Sequence, residues 1–366
     1  MLLLTGIRQS GKSSLLRKLY PEATYVTLDR VLLAEEAQQN PESFLNKFET
    51  PIIIDEVQHA PGIFRDLKVR VDDDRQTNGK WILTGSQQFH LMKQVSESLA
   101  GRIRIINLYP LSAFELRESG LLKERKDLLW KGGFPEVWSQ SLEVDEFFDD
   151  YLRTYLERDL NEILKVNNIR DFRRFFALLA LRTGQLLNYS ELAKDVGVAV
   201  NTIKSWVSSL ETTGVIILVP PYYQNLGKRL IKSPKVYFCD NGLVASLLNI
   251  RSGEDFDKSP LLGNLWENFV LTELLKQGFL PNQDLFYYRD QNGVEVDFIL
   301  EKNGEPILLE VKSHERPEKK KLNFRKVAPL FNQEVSCVVA CNVQEQGMIN
   351  LAEFSMYNPL DGFVEI

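Results

Sequence analysis

Residues Gly6 to Ser13 read G-I-R-Q-S-G-K-S and fit the spacing G-x-x-x-x-G-K-[ST]. The segment lies between Leu2-Leu3-Leu4-Thr5, an apolar run suited to a buried parallel strand, and Ser14-Leu15-Leu16-Arg17-Lys18-Leu19, whose leucines have helical spacing. A strand, a glycine loop and a helix N-terminus in that order form a cradle for phosphate. The glycines let backbone N–H groups turn inward, and the helix dipole favours negative charge. Lys12 adds a mobile cation for the outer phosphates of a nucleoside triphosphate such as ATP, and Ser13 offers a hydroxyl to Mg²⁺. Gly6, Arg8, Gln9, Ser10, Gly11, Lys12, Ser13 and Ser14 are the candidate nucleotide-binding residues.

A second motif supports the first. Pro51-Ile52-Ile53-Ile54-Asp55-Glu56 is a turn followed by a β-branched run that ends in two carboxylates. Continuous apolar runs of this length suit strands covered on both faces, as in a parallel sheet. Ligands of such sheets bind beyond the C-terminal strand ends, where Asp55 and Glu56 fall. Asp55 is expected to hold Mg²⁺ through water beside Ser13, and Glu56 to polarise the attacking water, which favours hydrolysis over simple binding.

Composition adds limits. The chain has 366 residues, enough for two or three domains, with a net charge of −6 that leaves any nucleic-acid surface to be local. Three cysteines, an odd number in apolar surroundings, suit reduced thiols better than disulfides or zinc ligands. No run is long enough to span a membrane and no charged leader opens the chain, so a cytoplasmic protein is expected.

Residues 1–120 alternate strands and helices, with further strands at Tyr25–Asp29, Trp81–Ser86 and Arg104–Leu108, and read as the parallel-sheet core. Ser86, ending the fourth strand, or Gln87 after it is a candidate to reach the attacking water or γ-phosphate. Arg102 is a candidate to complement transition-state charge there or in a neighbouring copy of the chain, with a surface ion pair as the alternative. Residues 121–181 read as a helical linker or lid, interrupted at Gly132-Gly133-Phe134-Pro135. Within 182–240, Ser190–Val198 and Asn201–Val207 read as a helix-turn-helix whose second helix is capped by Asn201. Val215–Val219 and Leu230–Phe238 follow as a hairpin wing turning at Gly227. Lys228, Arg229, Lys232 and Lys235 crowd that wing, and Lys204 is the cation of the second helix. DNA is the expected partner, and a packing or protein-interaction role is the alternative.

Residues 255–366 carry a different constellation. A helix from Leu262 to Lys276 contains Glu267. Strands follow at Leu285–Tyr288, Val294–Leu300 and Pro306–Lys312, then a helix at Lys319–Phe331 and a strand at Val335–Cys341, in the order αβββαβ. Period-two alternation puts Val296, Phe298 and Leu300 on one face and Asp297 on the other, and sets Glu310 and Lys312 opposite Ile307, Leu309 and Val311. Two carboxylates and an amine over one face suit a hard divalent cation and phosphodiester attack; a solvated charged face is the alternative.

The phosphate loop with Arg8-Gln9, Ile53-Ile54-Asp55-Glu56-Val57-Gln58, Leu83-Thr84-Gly85-Ser86, Leu99-Ala100-Gly101-Arg102, Gly132-Gly133-Phe134-Pro135, Glu295-Val296-Asp297-Phe298 and Glu310-Val311-Lys312-Ser313 together resemble prokaryotic AAA+-type ATPases of the archaeal/bacterial ATP-binding protein family. The resemblance covers nearly the whole chain. It implies an α/β P-loop NTPase core, a helical and winged-helix middle, and a C-terminal restriction-endonuclease-like domain of the PD-(D/E)xK kind. There Asp297, Glu310 and Lys312 correspond to the catalytic triplet and Glu267 to the acidic residue of the first helix. Asp297 and Glu310 would ligate metal, as Ser13 and Asp55 would at the ATP site. It leaves room for homo-oligomers, and for a nuclease fold that is silent in a regulatory protein. Relatives carry further residues ahead of the loop, so a start only five residues before Gly6 is expected to be a shortened one.

Overall fold

The computed structural model describes residues 1–85, 99–139, 143–154, 169–222 and 232–361. Ser86, Gln87, Lys228, Arg229 and the wing turn at Gly227 lie outside the described residues. Contacts divide the chain into two units, Met1–Tyr109 with Thr212–Gly214, and Pro110–Glu211 with Val215–Ile366.

In the first unit β1 (Leu2–Thr5), β2 (Thr24–Thr27), β3 (Ile52–Asp55), β4 (Trp81–Thr84) and β5 (Arg104–Asn107) form a parallel sheet in the order β2-β3-β4-β1-β5. The continuous apolar runs follow from burial on both faces. Leu3, Ile52, Ile54 and Leu83 enter one core with Phe44, Phe64 and Leu67, while Leu4, Ile53 and Ile82 enter another with Leu16. The covering side chains come from α1 (Lys12–Leu19), α3 (Pro41–Asn46) and α4 (Ile63–Asp73); α2 (Val31–Gln39) adds Ala37. Burying each such Leu, Ile or Phe contributes about 1.5–3 kcal/mol. The apolar stretches stop at Thr5, Asp55 and Thr84, so polar side chains collect at the C-terminal edge of the sheet.

The second unit begins with helices around a buried polar knot. Gly132 has φ 70°, and a Cβ on Gly133 would lie 2.2 Å from the Leu111 carbonyl oxygen. The freed Gly133 N–H donates to Asp240 Oδ2 at 2.7 Å, while Oδ1 accepts from Leu243 N–H at 3.1 Å. Burial pushes the Asp240 carboxyl above its ordinary range, against these hydrogen bonds and the charge of Lys276. Phe134, next along, packs against Phe147, Phe148 and Tyr151 with ring centroids 5.0–5.8 Å apart. Helices Tyr189–Val196 and Val200–Thr212 are separated by a turn at Gly197, φ 89°. Asn188 caps the first through its side chain. The second already runs from Val200, with Ala199 accepting its first backbone hydrogen bonds, so Asn201 lies inside the helix and not at its cap as the sequence suggested. Trp206 anchors it against Phe172 and Phe175, each 5.2 Å away. Beside these helices β6 (Gln185–Leu186), β7 (Ile216–Val219) and β8 (Lys235–Phe238) form an antiparallel sheet in the order β6-β8-β7.

A six-stranded sheet completes this unit, with β9 (Leu285–Arg289), β10 (Glu295–Lys302), β11 (Glu305–Lys312), β12 (Ser336–Cys341), β13 (Ile349–Asn350) and β14 (Ser355–Tyr357) in the order β13-β14-β12-β11-β10-β9. The largely buried helix Leu262–Lys276 precedes it in the chain. Two expectations are corrected here. Register between β10 and β9 shifts between Val296 and Ile299, and both of these residues enter one core with Leu308, whereas Phe298 packs on Tyr237, so Val296 and Phe298 do not share a face. The helix expected over Lys319–Phe331 is broken into a 3₁₀ turn at Lys319–Lys321 and a short helix at Phe324–Val327. The break falls where the Asn323 N–H turns to donate to Glu310. Gly133→Ala is expected to destabilise the second unit by about 1–3 kcal/mol through overpacking, read as a lower urea midpoint; a midpoint equal to the parent's would show that the chain relaxes around the added carbon at no cost.

Candidate functional site

At the C-terminal edge of the first sheet, Thr5 passes into the loop through Gly6, whose Cβ position would lie 2.2 Å from the Leu108 carbonyl oxygen. Gly11 is left-handed at φ 90° and hands over to α1. Ser10 Oγ donates to Ile7 O at 2.9 Å and closes the loop. Lys12 folds back over it, donating from Nζ to Ile7 O at 2.8 Å and Gly6 O at 3.1 Å. Burial lowers the Lys12 pKa, and the charges of Glu56 and Asp55 oppose that shift. Arg8 is part-exposed, and Gln9 and Ser14 are exposed beside the loop.

Asp55 is the hub of the site. Ser13 Oγ donates to its two carboxylate oxygens at 3.0 and 2.9 Å, and the hydroxyls of Tyr25 and Thr84 donate to it as well. β1 and β3 are not neighbours; β4 lies between them and supplies Thr84. Glu56 leaves the strand in a left-handed conformation, φ 57°, with its N–H directed to Thr84 Oγ1 at 3.3 Å and its carboxylate held by the Gln58 amide. Tyr25 and Thr84 were missed by sequence reasoning, because a strand-end hydroxyl carries no local signal. Arg102 precedes β5 and lines a cavity with Met1, Lys80 and Trp81, at the N-terminal edge of the sheet. It bonds Asp72 Oδ1 at 2.8 Å and Ala100 O at 3.0 Å. A strand length separates that edge from the phosphate loop, so within its own chain Arg102 is ion-paired to Asp72 and does not serve the nucleotide site.

In the second unit, pairing of β10 with β11 extends to Phe298↔Leu309. Beyond it Asp297 Oδ2 takes the Val311 N–H at 2.7 Å. Lys312 Nζ lies 2.9 Å from Glu310 and 3.7 Å from Asp297, so the three residues meet. Burial raises the Glu310 pKa against the pull of Lys312; burial disfavours the charge on Lys312, and Asp297 and Glu310 more than restore it. Glu267 does not join as a free carboxylate. Lys235 Nζ donates to it at 2.8 Å and the Tyr237 hydroxyl donates to the same oxygen. Among the described residues no group of three or more His, Cys, Asp or Glu is arranged to hold a metal ion.

Lys235 therefore requires correction as a wing contact. It is 1% exposed and ion-paired to Glu267 and Glu295, out of reach of any DNA phosphate. Its position at the head of β8, with its side chain turned inward, is invisible in a run of basic residues. Lys204 and Lys232 are exposed. No helix among the described residues is long and apolar enough to cross a membrane.

A family profile described as an AAA domain matches residues 1–117, and profiles described as domains of unknown function match 122–254 (DUF8612) and 262–352 (DUF4143). An uncharacterised protein of Mycobacterium tuberculosis is 34% identical over 326 residues, 87% of this chain and 71% of the relative. The chain belongs to this family of prokaryotic AAA+-type ATPases. An uncharacterised Haemophilus influenzae protein similar to it is 26% identical over 357 residues, 86% of this chain and 82% of that one. Among solved structures, the Aeropyrum pernix ORC1 protein in complex with DNA aligns at a TM-score of 0.27 and 15% identity, over 70% of this chain and 87% of that one. A score that low does not establish a shared fold.

Glu267 gives this unit a pH signature. Burial lifts its pKa from 4.5 to about 7, against the lowering by Lys235 and with a further rise from Asp297. A carboxyl raised on folding contributes stability that is complete below its unfolded pKa and is lost as pH rises through the folded one. Glu267→Gln is expected to flatten the fall in urea midpoint between pH 4.5 and about 7; an unchanged slope would assign that fall to other groups.

Proposed function

We propose that this protein is a Mg²⁺-dependent ATPase that acts on DNA through a winged helix and carries a nuclease-like C-terminal domain. The observation that supports the ATPase reading best is the direct contact of Ser13 with Asp55, which brings a hydroxyl and a carboxylate to one point beside Lys12. Two hard oxygen donors at that spot fit Mg²⁺, whose bound form supplies charge neutralisation for the β- and γ-phosphates. Lys12 then exchanges its two loop carbonyls for phosphate oxygens. Glu56 orients a water for attack on the γ-phosphorus and accepts its proton as the bond to the β–γ bridging oxygen breaks. Ser86 is a candidate second contact to that water, and Arg102 is kept only as a residue that a neighbouring copy would present.

The DNA reading draws on the two helices about Gly197, the adjoining antiparallel strands, and the basic residues Lys204, Lys228, Arg229 and Lys232. The nuclease reading draws on Asp297, Glu310 and Lys312 at the point where β10 and β11 separate. Asp297 and Glu310 offer oxygens to a divalent cation, and Lys312 is placed to orient a water or stabilise charge on the phosphorane. We assign the ATPase core to 1–120, the helical linker to 121–181, the winged helix to 182–240 and the nuclease-like domain to 255–366. The engagement of Glu267 by Lys235 favours a second reading, an ATP-dependent regulator whose nuclease fold is silent.

Lys12→Ala is expected to abolish nucleotide binding. Glu56→Gln should bind ATP like the parent and hydrolyse it about 100-fold more slowly or worse, since a positioned base acts in the transition state. Parent-rate turnover by Glu56→Gln in a phosphate-release assay would remove Glu56 from that role.

On DNA, neutralising Lys228, Arg229 and Lys232 together should flatten the salt dependence of binding by up to about three in log–log slope. Glu310→Ala should keep binding and lose Mg²⁺- or Mn²⁺-dependent cleavage of linear, supercoiled, single-stranded or branched DNA. Binding by the parent without cleavage of any of these would select the regulator.

A further inference from the structure

The acidic residues of the C-terminal site fall into two sets with different counter-charges. Lys235, fixed in the middle of the β6-β8-β7 sheet, sends its ammonium to Glu267 of the helix Leu262–Lys276 and to Glu295 at the head of β10. Arg289 holds Glu295 from the other side at 2.9 Å. Two cations face two carboxylates, and the Tyr237 hydroxyl takes a further lone pair of Glu267. This set is balanced in charge, with Lys235 at its buried centre. Asp297 and Glu310 have only Lys312 between them, one ammonium against two carboxylates, so this set is not balanced in the same way. Neither Glu267 nor Lys235 hydrogen-bonds Asp297 or Glu310.

Burying an ammonium costs several kcal/mol of desolvation, which the carboxylates of Glu267 and Glu295 offset for Lys235. The ligand chemistry around Lys235 (two carboxylates, a phenol oxygen and the nearby charge of Asp297) is also what a hard divalent cation would take. We propose that Lys235 is a built-in cation that occupies the position of a second metal ion and limits this site to one ion, held by Asp297 and Glu310. Glu267 is then a residue positioned by Lys235 and Tyr237, not a metal ligand, and the hairpin strand β8 completes the C-terminal site. The inference rests on the reading of Asp297 and Glu310 as metal ligands, and its test separates the two.

The test is Mn²⁺ titration of the full chain without nucleotide, by calorimetry and by melting temperature, comparing variants so that any contribution of the N-terminal site cancels. Glu310→Gln should lose one bound ion. Glu267→Gln should hold that ion with an affinity within about threefold of the parent's. Lys235→Met should melt below the parent in the absence of metal, bind one more Mn²⁺ per chain, and gain more in melting temperature on Mn²⁺ addition than the parent does. A loss of about tenfold or more in Glu267→Gln would make Glu267 part of the ion's shell and overturn the proposal. So would a Lys235→Met protein that melts lower but binds no additional ion, since Lys235 would then be an ordinary structural ion pair. If Lys235→Met does not fold, the Glu267→Gln affinity decides alone. A parent with no C-terminal Mn²⁺ would end the metal reading of Asp297 and Glu310, while an extra ion in Lys235→Met would still uphold the role of Lys235.

Discussion

Strands covered on both faces have only their ends left for chemistry, and the first unit is organised by that constraint. Ile52, Ile53 and Ile54 are each buried, on alternate faces, and so are Leu3 with Leu4 and Ile82 with Leu83. Polar groups are therefore displaced to the edge, where Thr5, Asp55 and Thr84 end their strands together. Asp55 is buried yet surrounded by three hydroxyl donors, from Ser13, Tyr25 and Thr84, which satisfy a carboxylate that would otherwise be costly to enclose. The same hydroxyls keep its oxygens aimed at the loop. Stability and the proposed nucleotide chemistry thus draw on one set of hydrogen bonds.

The second unit manages buried charge differently. Asp240 is held by the Gly133 N–H, which a turn at two glycines makes available, and by the Leu243 N–H of the helix it caps. Asn241 and Asn268 extend the network, with Asn268 accepting from Phe238 N–H and donating to Asn241 at 2.8 Å. Lys235 and Glu267 instead meet side chain to side chain, with Glu295 as a second partner of the ammonium. Amide-bonded groups of the first kind fix chain geometry. An ion pair of the second kind also acts on the carboxylate beside it, which links β8 to Asp297.

Some positions were readable from local sequence and others were not. The phosphate loop needs its glycines at fixed spacing, so Gly6, Gly11, Lys12 and Ser13 were identifiable, and the isoleucine run marked where Asp55 and Glu56 stand. The pairing of Asp297, Glu310 and Lys312 followed in outline from strand period. It did not anticipate the register shift after Val296, because a bulge is set by the partner strand and not by the residues within it. The basic run at the expected wing misled for a related reason. Composition counts Lys235 with its neighbours, but only the path of β8 decides that its side chain faces inward.

The sequence by itself determined the kind of elements, the loop that suits a triphosphate, and the membership in an AAA+-type family, since each depends on spacing along the chain. The tertiary structure alone decided the insertion of β4 between β1 and β3, the capture of Asp55 by Tyr25 and Thr84, and the placing of Arg102 at the opposite edge from the loop. It also decided that Lys235 is an internal counter-ion. Asp55 lies 29 to 42 positions from its hydroxyl donors, Arg102 30 from Asp72 and Lys235 32 from Glu267, and burial of a charge is a property of what surrounds it. No local pattern encodes which partner will be there.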